Sequence, residues 1–370
     1  MKIGIYHQRV AWNSVGGIAV FLQQMAIHLS KEHDVTVYSS ADEATVPELA
    51  SSNVDVVRID RSRPMSLLRP LSYLFPSEVY GAVGFLLAAR SDGIIDQINE
   101  DEDVLVTGLW TDSLLISRAV EVPTVYEYHS NLRDVGLGVR IHDKFSNPAL
   151  RLANSKTTAR TLEREASVTV DGVVTPGVDL AEFEAPDTDL FDDDTEHVVT
   201  VARQDRVKGI IELIEAVATL DPVPTLHLVG TGPHSDQFAE RAADLGIASQ
   251  LRQHGRVPRD ILPDMYASAD VSCNPSHHES WCMTNMEAMA AGTPVVTSNL
   301  PAIREYAEDG SNCLLVEPKS VDEIADAVES ILRDDDLADR LRDGGHATAY
   351  EYSWTRQAER LEEYLRQAVA

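Results

Sequence analysis

The chain alternates short runs of apolar and β-branched residues with longer segments in which apolar residues recur at helical spacing. Apolar runs bounded by polar turns are typical of strands buried in a parallel sheet, and the helical segments between them predict crossover helices. The pattern therefore predicts an α/β protein in which this rhythm occurs twice. The predicted strands are residues 2–6, 35–38, 54–59, 104–107, 124–128, 197–202, 225–229, 271–274 and 294–297.

An acidic segment, residues 187–196 (DTDLFDDDTE), interrupts this rhythm and contains almost no residues suited to a core. It predicts an exposed connector between two doubly wound, Rossmann-like domains, residues 1–186 and residues 187–352. Open α/β sheets bind ligands at the carboxyl ends of their strands, so the site is expected in a cleft across which the two domains face each other. The last helical segment, residues 353–370, is expected to pack back on the first domain.

The charge balance bears on the partners of the protein. The 370 residues include 60 acidic and 31 basic side chains, which gives a formal net charge of -29. Such a field repels nucleic acid, and the composition resembles the solvated acidic exterior of halophile proteins. Nucleic acid is therefore excluded as a predicted partner.

Cysteine usage and hydropathy predict a cytoplasmic protein. The three cysteines, Cys273, Cys282 and Cys313, form no C-x-x-C pair, which argues against structural zinc and for a reducing compartment. The first residues, MKIGIYHQRV, lack the apolar core of a signal peptide. The most apolar stretch, residues 79–89, is shorter than the roughly 20 residues of a spanning helix.

Two features of the first half are candidate ligand contacts. Gly16 and Gly17 open a helix after the first strand, where glycines let backbone amides approach an anion, although glycine is also common in tight βα turns. His129 ends a strand in TVYEYHSN, at the sheet edge where ligands bind. A single histidine is also often structural, so both interpretations of His129 stay open.

The second half carries the stronger signals. Arg203 and Lys208 (VARQDRVKG) follow a strand and precede a helix, and two cations on one βα loop suit a diphosphate. Further on, NPSHHESWCMTNMEAMAAGTPVVTS predicts strand, polar loop, helix, glycine turn and strand. Glu279 falls in the loop and Glu287 in the helix, so the helix N-terminus with its free amides lies between them. Carboxylates there are suited to accept hydrogen bonds from ribose or sugar hydroxyls.

These motifs, taken in order, resemble family 4 of the retaining glycosyltransferases, which have the GT-B architecture. The resemblance covers nearly the whole chain and includes the GG loop, His129, the TPGVD turn at 175–179, Arg203 with Lys208, and HGRVPRD before the E-x7-E pair of Glu279 and Glu287. Within that pair, the aromatic-Gly-Leu that is common in the family is Trp281-Cys282-Met283 here. This departure leaves the identity of the donor sugar open.

The resemblance also implies residue roles. Glu287 would bind the ribose hydroxyls, Glu279 a hydroxyl of the donor sugar, and Arg203 with Lys208 the leaving diphosphate. His129 and Gly17 would lie beside the anomeric carbon. The residues around Val257 would meet the base, and the amides near Met283 and Thr284 the phosphates.

The family implies that configuration is retained, with the acceptor attacking from the face that the leaving group departs. Arg203, Lys208 and a helix N-terminus can stabilise the growing charge on the diphosphate without a divalent ion, so no metal and no cofactor are expected. The D-x-D patterns at 187–189, 192–194 and 334–336 are interpreted as solvated surface.

The predicted function is transfer of a sugar from a nucleotide-sugar donor to a glycan or lipid-linked acceptor. In residues 58–75, arginines interleave with apolar residues, a combination that suits an anionic membrane surface, although a loop followed by a core helix explains it equally. Peripheral docking on the inner face of the membrane is therefore a hypothesis. The alternatives are a GT-B enzyme that is not a transferase, such as a nucleotide-sugar epimerase or a phosphorylase, or a non-catalytic nucleotide-sugar-binding protein.

Overall fold

We analysed a computed structural model of the chain, which describes residues 1–12, 16–68, 76–129, 137–183, 190–191 and 195–370. The described strands are β1 (Lys2–Tyr6), β2 (Asp34–Ser40), β3 (Asp55–Ile59), β4 (Val104–Thr107), β5 (Thr124–Tyr128), β6 (Leu150–Ala153), β7 (Gly172–Val173), β8 (His197–Val201), β9 (Thr225–Val229), β10 (Leu251–Gly255), β11 (Val271–Asn274), β12 (Val295–Ser298) and β13 (Leu314–Val316).

The described α-helices follow the strands in the order expected of crossover connections. They are α1 (Gly17–Leu29), α2 (Pro47–Ala50), α3 (Ser62–Leu68), α4 (Ser77–Ser91), α5 (Ile94–Asp101), α6 (Trp110–Ile116), α7 (Leu137–Phe145), α8 (Lys156–Ala166), α9 (Leu180–Phe183), α10 (Ile210–Val217), α11 (Ser235–Asp244), α12 (Leu262–Ala267), α13 (Met283–Ala290), α14 (Val321–Arg333), α15 (Asp335–Glu351) and α16 (Trp354–Val369).

The chain divides into two compact units. The first comprises Met1–Pro176 together with Trp354–Ala370, and the second comprises Gly177–Ser353. The sequence placed the first division at residue 186 and the second at residue 352. The difference at the first division arises because Val178 already bonds to the second unit, where its N–H donates to the carbonyl of Tyr352 at 3.1 Å.

The first unit is built on a seven-stranded parallel sheet in the order β3-β2-β1-β4-β5-β6-β7. Strands buried on both faces explain the continuous apolar runs of the sequence, since β4 and β5 are buried at every position. The order reverses between β1 and β4, which makes the carboxyl ends of these strands the expected ligand-binding edge of this sheet.

The last helix, α16, belongs to this first unit, although the second unit separates it in sequence from the rest. The Trp354 ring packs 6.0 Å from the Phe21 ring of α1. Gln357 Oε1 accepts a hydrogen bond from Thr175 Oγ1 at 2.9 Å, and His33 Nε2 lies 3.2 Å from Glu362 Oε1. The helix is thus held by an apolar contact and by polar contacts in its first turn and at its middle.

The second unit contains a six-stranded parallel sheet in the order β10-β9-β8-β11-β12-β13. Local sequence signals mark the ends of its helix α14. This helix begins after Ser320, whose side chain accepts the N–H of Glu323, and it carries acids in its first turn and Arg333 in its last. The prediction of two Rossmann-like parallel sheets is confirmed. The arrangement of the two domains across a cleft stays a prediction.

Four strands escaped the sequence analysis, namely β6, β7, β10 and β13. They are short or carry charged and polar residues: β10 (LRQHG) is an edge strand with exposed positions, so its sequence lacks the apolar run of a central strand. The apolar stretch 79–89 lies inside α4. None of the helices described here is both long enough and apolar enough to cross a membrane.

Candidate active site

The loop after β8 presents the two predicted cations. Lys208 ends a short 3-10 turn, Arg206–Lys208, which the Asp205 side chain caps by accepting the N–H of Val207 at 3.5 Å. The other carboxylate oxygen of Asp205 lies 3.0 Å from Nη2 of Arg203, whose side chain is 67% exposed. Asp205 therefore orients both the turn that carries Lys208 and the guanidinium of Arg203.

Gly209 fixes where this loop lies. Its φ of +68° is in the left-handed region, and a Cβ atom there would lie 2.0 Å from the carbonyl oxygen of Pro275. Only glycine permits both the backbone conformation and this approach. The loop after β8 is consequently held against the segment that follows β11, which contains Glu279. The N–H of His277 reinforces this approach by donating to the carbonyl of Val207 at 2.8 Å.

Lys208 and Glu279 meet in an ion pair with Nζ and Oε1 2.5 Å apart, and Ser276 Oγ donates to the same carboxylate oxygen at 2.9 Å. The Lys208 side chain is 25% exposed and the Glu279 side chain 10%. Burial lowers the pKa of Lys208 and the Arg203 guanidinium adds to this, but the Glu279 carboxylate outweighs both, so the pKa is raised. Lys208 is therefore a fixed positive charge beside a carboxylate.

Helix α13 begins just beyond this pair. Its N-cap, Cys282, has φ +75° and ψ +78°, and the Cys282 side chain makes no capping hydrogen bond. The first-turn amides of Met283 and Thr284, two of the predicted phosphate contacts, therefore belong to an uncapped helix N-terminus, where anions are favoured. Both residues are partly buried.

A buried polar network anchors this terminus to the end of the sheet. Asn274 Nδ2 donates to Asn285 Oδ1 at 2.9 Å, and Asn285 Nδ2 donates to Thr297 Oγ1 at 2.8 Å and to Tyr306 Oη at 2.9 Å. Tyr306 Oη in turn donates to the carbonyl of Trp281 at 3.1 Å. Because every link is buried, the direction of the first turn of α13 is fixed before any ligand arrives.

Glu287 lies one turn into α13 with 6% of its surface exposed. Tyr266 Oη donates to Glu287 Oε2 at 3.3 Å, and Arg259 Nη1 lies 3.7 Å from Oε1. Burial raises the pKa of Glu287, whereas Arg259 and the tyrosine hydroxyl oppose this effect. Arg259 Nη2 also donates to Glu182 Oε2 at 2.9 Å. Val257, the residue predicted to contact the base, is partly buried and lies two residues before Arg259.

The remaining predicted residues lie in the first unit. Gly16 and Gly17 are exposed at the start of α1. Gly16 has an ordinary φ of -89°, and a Cβ atom there would meet nothing within 4 Å, so the described fold does not itself require glycine. His129 follows β5, and its ring lies 4.6 Å from the Phe21 ring of α1, with the side chain 4% exposed.

The structure thus brings Arg203, Lys208, Glu279 and the start of α13 into one cluster, with Glu287 a turn further along the same helix. Sequence reasoning missed Arg259 and Tyr266 as partners of Glu287, although Arg259 stands in the quoted HGRVPRD segment. It also missed the network around Asn285, whose signal in the sequence is a buried amide among the methionines and alanines of α13.

Among the residues that the structure describes, no group of three or more His, Cys, Asp or Glu side chains is arranged to hold a metal ion. Of the D-x-D patterns, 187–189 and 192–194 lie outside the described residues. In the third, Asp334 caps α15 by accepting the N–H of Leu337 at 3.0 Å. Independence of a metal stays a prediction.

The basic segment proposed for membrane contact is described only up to residue 68, and residues 69–75 lie outside the described part. Two of its arginines have partners within the unit: Arg58 Nη1 donates to Thr45 Oγ1 at 2.6 Å, and Arg61 Nη1 donates to Gln8 Oε1 at 2.8 Å. Arg63 is exposed. Part of the positive charge therefore serves internal contacts.

Comparison with known proteins defines the class. Residues 182–348 match the profile of the family described as Glycosyl transferases group 1. Among solved structures, Anabaena Alr3699/HepE in complex with UDP aligns over 99% of this chain and 100% of its own with a TM-score of 0.81 and 21% identity. The fold is thus that of the GT-B glycosyltransferases.

Two sequence relatives carry the comparison further. The D-inositol 3-phosphate glycosyltransferase of Corynebacterium urealyticum is 31% identical over 214 residues, which are 52% of this chain and 50% of that protein. The lipopolysaccharide core biosynthesis glycosyltransferase LpsE of Rhizobium meliloti is 30% identical over 63% of this chain and 64% of its own. This chain thus spans about half the length of the first relative. Both relatives are named as glycosyltransferases.

Proposed function

We propose that this protein is a retaining glycosyltransferase of family 4 that transfers a sugar from a nucleoside diphosphate sugar to a glycan or lipid-linked acceptor. The observation that carries the proposal is the Lys208–Glu279 ion pair, 2.5 Å long, beside an uncapped helix N-terminus. In the free protein the two charges satisfy each other. A donor that carries both a diphosphate and sugar hydroxyls offers each of them a new partner.

The donor lies along the second unit in this proposal. Its phosphates accept hydrogen bonds from the first-turn amides of α13 near Met283 and Thr284, and its ribose hydroxyls donate to Glu287. The base lies near Val257. A uridine nucleotide is the first candidate, because the structurally similar HepE is in complex with UDP.

The chemical step needs negative charge stabilised on the leaving diphosphate. Lys208 supplies a fixed positive charge, Arg203 can hold two oxygens in a fork, and the α13 dipole points its positive end at the same place. Glu279 orients the sugar through a hydroxyl, and His129 with Gly17 lies beside the anomeric carbon. The configuration at the anomeric carbon is retained if the acceptor attacks from the face that the diphosphate leaves. No metal ion is required by this arrangement.

The acceptor belongs to the first unit in this proposal. Phosphorylated and lipid-linked acceptors are favoured by the names of the two relatives, one for an inositol phosphate and one for the lipopolysaccharide core. A cytoplasmic enzyme docked on the inner membrane face through residues 58–75 would reach the latter. Flotation with anionic liposomes at low salt tests the membrane docking. Wild-type protein that stays at the bottom of the gradient would refute the docking.

The donor assignment is tested by thermal stabilisation with UDP-, GDP- and ADP-sugars, because a ligand that binds only the native state raises its stability. One nucleotide class is expected to shift the transition. The site is then tested with Lys208→Ala and Glu287→Ala, each expected to lower turnover at least about tenfold. Lys31→Ala and Glu329→Ala, at exposed positions, are matched controls. Wild-type kinetics in both site variants would refute the assignment.

Turnover and thermal stabilisation, measured with and without acceptor, separate the transferase from the alternative functions. A transferase releases free nucleoside diphosphate at a rate that rises when acceptor is added, whereas an epimerase interconverts the nucleotide sugars without any acceptor. A non-catalytic binding protein would show thermal stabilisation by the nucleotide sugar and no turnover with any acceptor. The joint presence of Arg203, Lys208, Glu279 and Glu287 favours the transferase, since a decayed site has no reason to keep all four.

A further inference from the structure

Glu127 is a buried acid in the middle of an apolar strand. It lies in β5 between Tyr126 and Tyr128, and its side chain is 0% exposed. Neither carboxylate oxygen has a hydrogen-bond partner of standard geometry among the described residues. Burying a carboxyl group that lacks standard hydrogen bonds costs several kcal/mol, so a chain that keeps one there is expected to use it.

The neighbour of Glu127 is His129, two positions along the chain, with Nε2 3.4 Å from Glu127 Oε2. Burial raises the pKa of Glu127, and the imidazole opposes this effect. The ring also packs against Phe21, with the two ring centroids 4.6 Å apart. The imidazole of His129 therefore contacts both a carboxyl group and an aromatic ring.

A second histidine near the pair bears no charge. Burial, then Arg9 and then His129 lower the pKa of His7 to about 3, so His7 is neutral at physiological pH. His7 Nδ1 already accepts the N–H of Arg9 at 3.1 Å. Among the described residues, Glu127 is the acidic side chain that contacts the His129 ring.

We propose that Glu127 is a positioning residue that accepts the Nε2–H of His129, fixes the direction of the ring and leaves Nδ1 as a hydrogen-bond acceptor for the donor sugar. In the proposed arrangement Glu127 is ionised and His129 is neutral. An ionised carboxylate can only accept a hydrogen bond, and a neutral imidazole carries one donor and one acceptor, so the contact selects the Nε2–H tautomer. A hydroxyl of the sugar then donates to Nδ1. The inference rests on the proposed place of His129 beside the donor.

The tautomer can be measured without any turnover. In the full chain with ¹⁵N-labelled histidine, the ring nitrogen shifts of His129, assigned by their loss in His129→Asn, are expected to report a proton on Nε2. Glu127→Met removes the acceptor at similar size and is expected to abolish this preference. Glu127→Gln keeps a carbonyl acceptor and is expected to retain it. Glu102→Gln is the matched control, since Glu102 is also buried but accepts from Tyr38 Oη at 2.7 Å.

Kinetics then separate positioning from packing. Glu127→Met is expected to lower kcat at least about tenfold, as misdirecting a catalytic imidazole does, while the KM for acceptor changes little. Glu127→Gln is expected to lose less, and Glu102→Gln to stay near wild type. If Glu127→Met does not fold, the inference is tested by the ¹⁵N spectrum of the wild-type histidines and by the Glu127→Gln variant.

Three results would overturn the inference. They are a wild-type His129 that carries its proton on Nδ1, an unchanged tautomer in Glu127→Met, or a shifted tautomer with wild-type kcat. None of these depends on Lys208 or Glu287. Failure of the proposed function would instead appear as unaltered turnover in the variants of those two residues, while the tautomer of His129 in the free protein would be unaffected.

Discussion

Cys282 stands in a backbone conformation that L-residues avoid. Its φ of +75° and ψ of +78° lie in the left-handed region, which costs a non-glycine residue about 1 to 2 kcal/mol. Glycine is free of this cost but loses more backbone entropy on folding. The effect of strain at Cys282 is therefore best measured against a second buried cysteine with ordinary geometry.

Cys273 provides that reference, because it lies in β11 of the same unit and is 0% exposed, compared with 8% for Cys282. Replacing alanine by glycine removes one methyl group and adds the same chain entropy at either site, so these terms largely cancel. The strain remains. The step from Cys282→Ala to Cys282→Gly is thus expected to be more favourable than the same step at Cys273 by about 1 to 2 kcal/mol.

Differential scanning calorimetry of the four variants measures this difference. At about 2 to 4 °C per kcal/mol, it corresponds to roughly 2 to 8 °C between the two glycine-for-alanine steps. The reasoning would be refuted if glycine cost as much relative to alanine at position 282 as at position 273. Such a result would mean that the start of α13 relaxes without strain in the alanine variant.

Three further predictions concern the same protein. Gly209→Ala is expected to destabilise the second unit severely, because its Cβ atom would lie 2.0 Å from a carbonyl oxygen, whereas Gly310→Ala at φ +72° with open space bears only the backbone cost; a thermal shift comparison checks this. Burial raises the pKa of Asp112 to about 7, so its protonated form is favoured in the folded state, and this stabilising preference is lost as pH rises from about 4 to about 7. Asp112→Asn is therefore expected to gain stability relative to wild type over that range, and a gap that is constant with pH in urea titrations would contradict the sign. Arg259→Met removes the cation that opposes the raised pKa of Glu287, so the donor KM of the variant is expected to rise more at pH 6 than at pH 8 relative to wild type; initial-rate measurements at the two pH values decide it.

The sequence was sufficient for the parts of the fold that depend on continuous apolar runs. Strands at 2–6, 104–107, 124–128, 225–229 and 271–274 were predicted with the bounds that the structure has. They are central strands buried on both faces, where hydrophobicity alone marks the element. The edge strand β10 was missed because a strand with one exposed side needs no such run, and its charged residues resemble a loop.

The candidate site was predictable where chemistry is carried by consecutive residues. The order of loop, helix and strand around Glu279 and Glu287 followed from local pattern, and α13 begins between the two acids. The partners of Glu287 were not predictable, because Arg259 and Tyr266 reach it from other elements through tertiary packing. The left-handed conformation of Cys282 was likewise hidden, since only the substitution for a glycine hinted at it.

The position of α16 in the first unit has a consequence for biosynthesis. The second unit is one continuous segment, Gly177–Ser353, which is synthesised before Trp354–Ala370. Because domains fold as units, the first unit stays incomplete until the helix that covers α1 has also been made. A nascent chain stalled at Ser353 would then display the apolar face around Phe21, to which Trp354 later docks. This protein therefore completes its amino-terminal unit last, and chaperones that bind apolar surface have their longest opportunity on that unit.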